Sequence, residues 1–262
     1  MKQTDSAAGK GVVVRRTKGF YYLRTPNGKE IECKVKGVLF KDSRFDNQIA
    51  VGDEVFFIRN VNDEVGLITN IQDRRSFLSR NRVGVDTEQI LAANIDNLLI
   101  VTSAINPPFR INLVNRMLVA AAVGNITPYL VITKTDLVNN DTARQLVQAY
   151  KNLNLRVIFF SSKDKEYDPF LLELLTGHVS VLAGQSGVGK SSLLNKLFPS
   201  LSIKVGEISA KTLKGSHTTT YAIMHKIAET SYVIDTPGIR EFGLWNITQE
   251  NIGQYYPIIE DY

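Results

Sequence analysis

The sequence predicts two units, a small all-β barrel followed by a layered α/β domain, and three observations carry that prediction. Residues 10–70 are short β-branched runs cut by Gly, Asn and Asp. Beyond residue 90, continuous apolar runs alternate with helix-period stretches. The basic charge is confined to the first third: residues 1–82 hold 16 Lys and Arg against 10 Asp and Glu, and the remainder 15 against 16, so the net charges are +6 and −1. A length of 262 residues suffices for one packed domain of about 150 to 200 residues and a smaller companion. The apolar share of 44% is that of a globular chain. No apolar run reaches the roughly 18 residues of a membrane-crossing helix, and MKQTDSAAGKG has no apolar core for a signal segment. The expectation is a cytoplasmic protein without membrane contact. The single cysteine, Cys33, excludes an internal disulfide framework and a Cys-rich zinc cluster, and reads as a small buried thiol.

The first unit is assigned to residues 1–73, beginning with a tail expected to be flexible. KGVVVRRT, FYYLRT, IECKVKG, VGDEVFFI and EVGLITNI read as strands, with the turn PNGKE between the second and third. Five such strands suit an OB-type barrel. Lys18, Arg24, Lys34, Lys36, Lys41 and Arg44 are interleaved with Phe20, Tyr21, Tyr22 and Phe40. Cations for phosphates beside rings for bases make these candidates for RNA binding, although about half the rings of a barrel face its core. RRSFLSR opens a basic connector, residues 74–89.

The second unit is assigned to residues 90–248, with 249–262 as the start of a further region. IDNLLIVTSA reads as a strand, and NPPFRINLVNRMLVAAAVG as a loop and a helix ending near Gly124. ITPYLVITKTDL is a strand, DTARQLVQAYKNL a helix and LRVIFFSSK a strand. DPFLLELL is a short helix that Asp168 can cap, with Pro169 in its first turn. HVSVLAGQSGVGKSSLLNKLF is strand, glycine loop and helix, and SYVIDTPG ends on a strand. Each suspect loop follows a strand, where ligands of layered α/β sheets bind.

Gly184, Gly189, Lys190 and Ser191 match the phosphate-loop pattern GxxxxGK[ST]. In the stretch from Gly184 through Gln185, Ser186, Gly187, Val188 and Gly189 to Ser192, backbone N–H groups can curl around phosphates. Lys190 reaches the β and γ phosphates and the Ser191 hydroxyl ligates Mg²⁺. DTPG begins at Asp235, 51 residues beyond Gly184. Asp235 can hold the magnesium's water shell, and the Gly238 N–H can sense the γ-phosphate. Between them, KTLKGSHTTTYAIM offers Thr218, Thr219 or Thr220 as a switch hydroxyl for Mg²⁺. Asp136, in the box Thr133, Lys134, Thr135, Asp136, can accept the N1–H and 2-amino donors of guanine, a pair that adenine lacks. Lys134 can lay its stem over the base. Ser161, Ser162 and Lys163 form a second base loop whose N–H meets guanine O6.

The order TKTD, SSK, GQSGVGKSS, GSHTTT, DTPG places the base loops ahead of the phosphate loop. In this the chain resembles, over nearly its whole length, the circularly permuted GTPases that depend on the small ribosomal subunit, the RsgA or YjeQ family. The resemblance implies an N-terminal OB-type barrel and a P-loop GTPase domain in circularly permuted order. It implies binding of GTP or GDP with Mg²⁺, and late maturation of the small (30S) subunit with 16S rRNA as partner. Subunit-stimulated hydrolysis and contact with other assembly factors are further implications; the chain is expected to be a monomer. Two departures stand out. Thr133 takes the place of the family's usual Asn, and lacks the amide that contacts the base and braces the phosphate loop, which predicts lower affinity with selectivity kept by Asp136. The family's C-terminal zinc module, three Cys and one His, is not found before the chain stops at YYPIIEDY, so a truncated product is expected and these residues are assigned no zinc.

Ile239 follows DTPG and cannot orient water, so turnover in isolation is expected to be slow. His217 is the internal candidate to orient the water, with Lys190 and Thr219 completing the catalytic set; His178 and His225 read as structural. A P-loop ATPase with an accessory barrel, or an RNA-binding protein using nucleotide for stability alone, are the alternatives. Nucleotide competition and subunit-dependent turnover discriminate them.

Overall fold

The computed structural model describes residues 6–17, 19–35, 49–60, 63–81, 87–201, 222–236 and 242–255. Five strands, β1 (Ser6–Thr17), β2 (Phe20–Arg24), β3 (Glu30–Val35), β4 (Glu54–Asn60) and β5 (Gly66–Ile71), form the first unit. They pair in the order β1-β2-β3-β5-β4, and β4 returns to β1, so the sheet closes on itself as an OB-type barrel. Val13, Leu23, Cys33, Ile49, Val55, Phe57 and Ile68 fill its core. Burial pushes the Cys33 thiol up to about 11, in keeping with an inert core residue.

The tail expected to be flexible enters the barrel earlier than its alternation suggests. From residue 6 it is strand, paired to β4 from Ser6↔Asn60 to Val12↔Glu54. Its small residues suit that place: a Cβ on Gly9 would lie 2.7 Å from the Phe57 ring, so glycine makes room for a core aromatic.

The connector is itself folded. It contains β6 (Phe77–Asn81), which pairs antiparallel with β7 (Glu88–Ala93) in a separate two-stranded sheet. Its first two arginines are engaged in ion pairs and hydrogen bonds with residues distant in the chain. Arg74 grips the fully buried Asp53 through two bonds of 2.7 and 2.8 Å, while the Ala50 N–H also donates to that carboxylate at 2.7 Å. Arg75 pairs with Asp96 at 2.6 Å and donates to the Asn94 carbonyl at 2.7 Å.

The second unit runs β8 (Asn97–Ser103), α1 (Ile111–Val123), β9 (Thr127–Thr133), α2 (Asn140–Leu146), β10 (Val157–Phe160), α3 (Phe170–Leu175), β11 (Val179–Ala183), α4 (Lys190–Leu197), β12 (Ile223–Ala228) and β13 (Ser231–Asp235). The predicted helix DTARQLVQAYKNL divides into α2 and a 3-10 turn, Gln148–Tyr150. The break lets Tyr150 turn inward, where its hydroxyl meets Asn115 Oδ1 at 2.8 Å. Asp168 Oδ1 accepts the Phe170 N–H at 3.0 Å, as the start of α3 requires.

The sheet order is β10-β9-β8-β11-β13-β12, parallel except for β12, which runs antiparallel to β13. Successive strands β8, β9 and β10 step outward one way, and the chain then returns through α3 to β11 and builds the other way. The crevice between β8 and β11 is therefore a topological switch point, open at the carboxyl ends of both strands. Beyond β12 the sheet continues into the barrel, where Arg15 of β1 registers with Ile223.

The Asp53–Arg74 pair yields a direct expectation. Arg74→Ala strands a buried carboxylate and destabilises the protein by about 3 to 5 kcal/mol, whereas Asp53→Asn with Arg74→Met recovers much of the loss. Urea unfolding of the three proteins measures both changes.

Candidate nucleotide site

The site is built at the carboxyl ends of β9, β10, β11 and β13. At the end of β11, Gly184 passes so close to β8 that a Cβ would lie 2.0 Å from the Val101 carbonyl oxygen. The loop then turns through Gly187 and Gly189, both left-handed at φ 80° and 101°, and delivers Lys190 to the start of α4. Lys190 is buried, and its Nζ donates to the carbonyls of Gly184 at 2.9 Å and Gln185 at 3.0 Å. Burial depresses its ammonium pKa, and Asp235 opposes that shift. Val188 is buried, Ser186, Ser191 and Ser192 are half-buried, and Gly187 is exposed at the turn.

Thr133 lies under this loop at the end of β9. Its hydroxyl donates to the Val188 carbonyl, with the Thr102 carbonyl 3.1 Å away as a second acceptor for the same proton. Without the amide, the hydroxyl still reaches the phosphate loop, because β9 ends directly beneath Gly189, whose Cβ position is 3.6 Å from Thr133 Oγ1. Lys134 follows in the left-handed region, φ 58°, and this bend sends its side chain across the edge. Its Nζ donates to the Gly187 carbonyl at 2.8 Å and also to that of Asn106.

Thr135 and Asp136 occupy a short 3-10 turn, Thr135–Leu137. Asp136 Oδ1 accepts the Ser161 hydroxyl at 2.8 Å, and Oδ2 pairs with Lys163 Nζ at 3.1 Å. Ser161 Oγ in turn accepts the Lys163 N–H at 3.1 Å, so the two candidate base loops are one hydrogen-bonded unit with exposed Ser162 between. The Ser161 hydroxyl, then Lys163, holds the Asp136 carboxyl below its usual range. An ionised carboxylate accepts about four hydrogen bonds, so each oxygen keeps capacity for a ligand donor.

Asp235 closes the site from β13. Its Oδ1 is buried with no hydrogen-bond partner among the described residues, and burial raises its carboxyl from 3.8 to about 6, with Lys190 opposing. The Asp235 carboxylate, its Oδ1 without a partner among the described residues, and the Ser191 hydroxyl of the phosphate loop are hard-oxygen donors of the kind that Mg²⁺ takes. His217, Thr218, Thr219, Thr220, Gly238 and Ile239 lie outside the described residues, as do Lys18, Lys36, Phe40, Lys41 and Arg44. Of the remaining RNA candidates, Lys34 Nζ sits 5.0 Å from the Phe20 ring on an exposed part of the barrel. Arg24 instead lies in the seam between the units, its guanidinium 5.6 Å from the Tyr232 ring, and Tyr22 packs against the large core there.

Three contributors are given no role by the motif reading. Thr236 Oγ1 donates to the Leu182 carbonyl at 2.9 Å and fixes the end of β13 to β11. Asn106 and Arg110 come from the loop after β8; Arg110 faces the Gln185 side chain of the phosphate loop. The signal for that loop is positional, since any segment leaving β8 must pass the neighbouring end of β11.

Comparison with known proteins agrees with this arrangement. Residues 71–245 match the family described as RsgA GTPase. The small ribosomal subunit biogenesis GTPase RsgA of Chlorobaculum parvum is 37% identical over 94% of this chain and 82% of its own. The protein of that name in Chlorobaculum tepidum is 38% identical over 98% and 84%. The crystal structure of YjeQ from Thermotoga maritima superposes with a TM-score of 0.71 at 28% identity, covering 95% of this chain and 82% of the other. That of YloQ, a circularly permuted GTPase, gives 0.66 at 27% identity, covering 100% and 82%.

Two outcomes follow from the site's electrostatics and bracing. Because the folded-state value of Asp235 lies above its ordinary value, its ionisation destabilises the nucleotide-free fold as pH rises from about 4 through about 6. Asp235→Asn therefore raises stability at pH 7.5 in the absence of Mg²⁺ by at most about 3 kcal/mol, seen as a higher Tm, and has little effect at pH 4; scanning calorimetry measures both. Thr133→Val leaves the Val188 carbonyl without its donor, lowering stability by about 1 to 2 kcal/mol and weakening GDP binding in titration calorimetry.

Proposed function

The chain belongs to the RsgA GTPase family, and on that premise we propose that it hydrolyses GTP in small ribosomal subunit biogenesis, with the barrel as RNA anchor and the α/β domain as timer. The observation that carries the choice of guanine is the Asp136 cluster. A carboxylate fixed by Ser161 and Lys163 presents only acceptors, and guanine alone among the common bases offers it N1–H and a 2-amino group together. An ATPase has no use for that arrangement.

In this reading Lys134 lays its stem along the base, and the Ser161–Lys163 loop turns an N–H to O6. The N–H groups from Gly187 to Ser192 and the Lys190 ammonium cradle the phosphates. Ser191, one of Thr218 or Thr219, and Asp235 through water hold Mg²⁺, which when bound neutralises charge on the β and γ phosphate oxygens. The Gly238 N–H reports the γ-phosphate. Ile239 leaves the attacking water unoriented, so His217 takes that part, and the subunit completes the site. Turnover is accordingly slow alone and fast on the subunit. The basic barrel, residues 1–73, anchors the protein on rRNA, and hydrolysis releases it. The partner places the protein in the cytoplasm.

Turnover of GTP and of ATP, each with and without small ribosomal subunits, tests the assignment. Stimulated hydrolysis of GTP alone is expected; equal hydrolysis of ATP, or no stimulation, overturns it. His217→Ala abolishes most of the stimulated rate if the histidine orients water. Asp136→Asn replaces an acceptor by an amide donor, so GTP affinity falls by about a hundredfold or more while xanthosine triphosphate, with a carbonyl at position 2, gains.

A further inference from the structure

The loop joining β8 to α1, residues 104–110, runs beside the phosphate loop and touches it at two points. At one, Lys134 spans the carbonyls of Asn106 and Gly187, and Pro107 Cδ lies 4.0 Å from where a Cβ on Gly187 would be. At the other, Arg110 Nε and Nη1 each lie 3.1 Å from one terminal atom of the Gln185 amide. A guanidinium carries donors only, so the Gln185 atom facing it is the oxygen. The first contact involves a residue already placed in the base loop. The second belongs to no motif.

Gln185 is a consequential residue to grip. Its own carbonyl accepts from Lys190 Nζ at 3.0 Å, as does that of its neighbour Gly184 at 2.9 Å. The limb of the loop held by Arg110 is therefore the one that positions the lysine directed at the β and γ phosphates. The rest of the loop has little intrinsic rigidity, with Gly187 and Gly189 both at positive φ. Two donors of one rigid guanidinium converge on the Gln185 oxygen and restrain its position more closely than a single ammonium can. Arg110 is in turn anchored, because it immediately precedes α1 and α1 buries Val114, Met117, Leu118 and Ala121.

We propose that Arg110 is a positioning residue for GTP hydrolysis: through Gln185 it holds the first limb of the phosphate loop, and with it Lys190, against the start of α1. This rests on the reading of the site as a GTPase centre. Since the charge that Lys190 meets between the β and γ phosphates grows during hydrolysis, the effect falls on turnover more than on GDP affinity.

The test uses the full chain with Arg110→Ala, Arg110→Lys, Gln185→Ala and the double alanine variant. Subunit-stimulated kcat at saturating GTP, GDP affinity, and amide hydrogen exchange of residues 185–190 are measured. Each single alanine variant is expected to lower kcat about tenfold, with GDP affinity changed less than about twofold and exchange accelerated. The double variant is no slower than the worse single one, and Arg110→Lys recovers only part of the loss. Additive losses, wild-type kcat in Arg110→Ala, or a GDP-affinity loss as large as the kcat loss overturn the proposal. Absence of GTP turnover in the wild-type protein marks failure of the functional reading instead. The exchange measurement then still decides, since unchanged exchange in Arg110→Ala overturns the grip itself.

Discussion

The pairing of β11 between β8 and β13 is the constraint on which the whole nucleotide edge depends. Its register sets Ala183 against Ile100 on one side and Leu182 against Asp235 on the other. The first pairing brings Gly184 onto the Val101 carbonyl, a contact only glycine permits. The second brings the Asp235 carboxyl toward Lys190, and Thr236 pins it by bonding the Leu182 carbonyl. β9 then pairs with β8 so that Ser103 faces Thr133, and Thr133 arrives beneath the phosphate loop. None of these contacts depends on which strand comes first in the chain. That is why a base loop encoded ahead of its phosphate loop meets it at the same sheet edge.

The same logic links the barrel to the switch. β12 begins just after the segment that carries the candidate switch threonines, and it is the strand to which β1 of the barrel attaches through Arg15 and Ile223. A single registered pair is a light connection, and the firmer ties lie elsewhere. Asp53 of the barrel is held by Arg74, and Asp96 at the start of the α/β unit by Arg75, so adjacent arginines clamp the two units from one point.

Much of this was legible in the sequence because it is local. Glycine spacing, strand-to-helix transitions and apolar runs mark the phosphate loop, the β8, β9, β10 and β11 strands and the five strands of the barrel. What escaped is long-range. RRSFLSR reads as a solvated basic linker, yet Arg74 and Arg75 find acids 21 residues away, and the strand within it is recognised only through β7. Arg24 reads as a phosphate binder, and its place in the seam, 5.6 Å from the Tyr232 ring, comes from the sheet order and not from anything local. Thr133 reads as a deficient asparagine, because nothing local reveals a carbonyl 55 residues downstream within reach of its hydroxyl. Arg110 carries no motif, and its significance comes entirely from the strand order that sets it beside Gln185.

The central claim is that Asp136, clamped by Ser161 and Lys163, and the phosphate loop, braced by Thr133 and Lys134, act as one guanine nucleotide site. Titration calorimetry of the purified protein with GDP and with ADP, in the presence of Mg²⁺, addresses it most directly. The account predicts a single site for GDP and binding of ADP weaker by about a hundredfold or more. Equal affinities would contradict it.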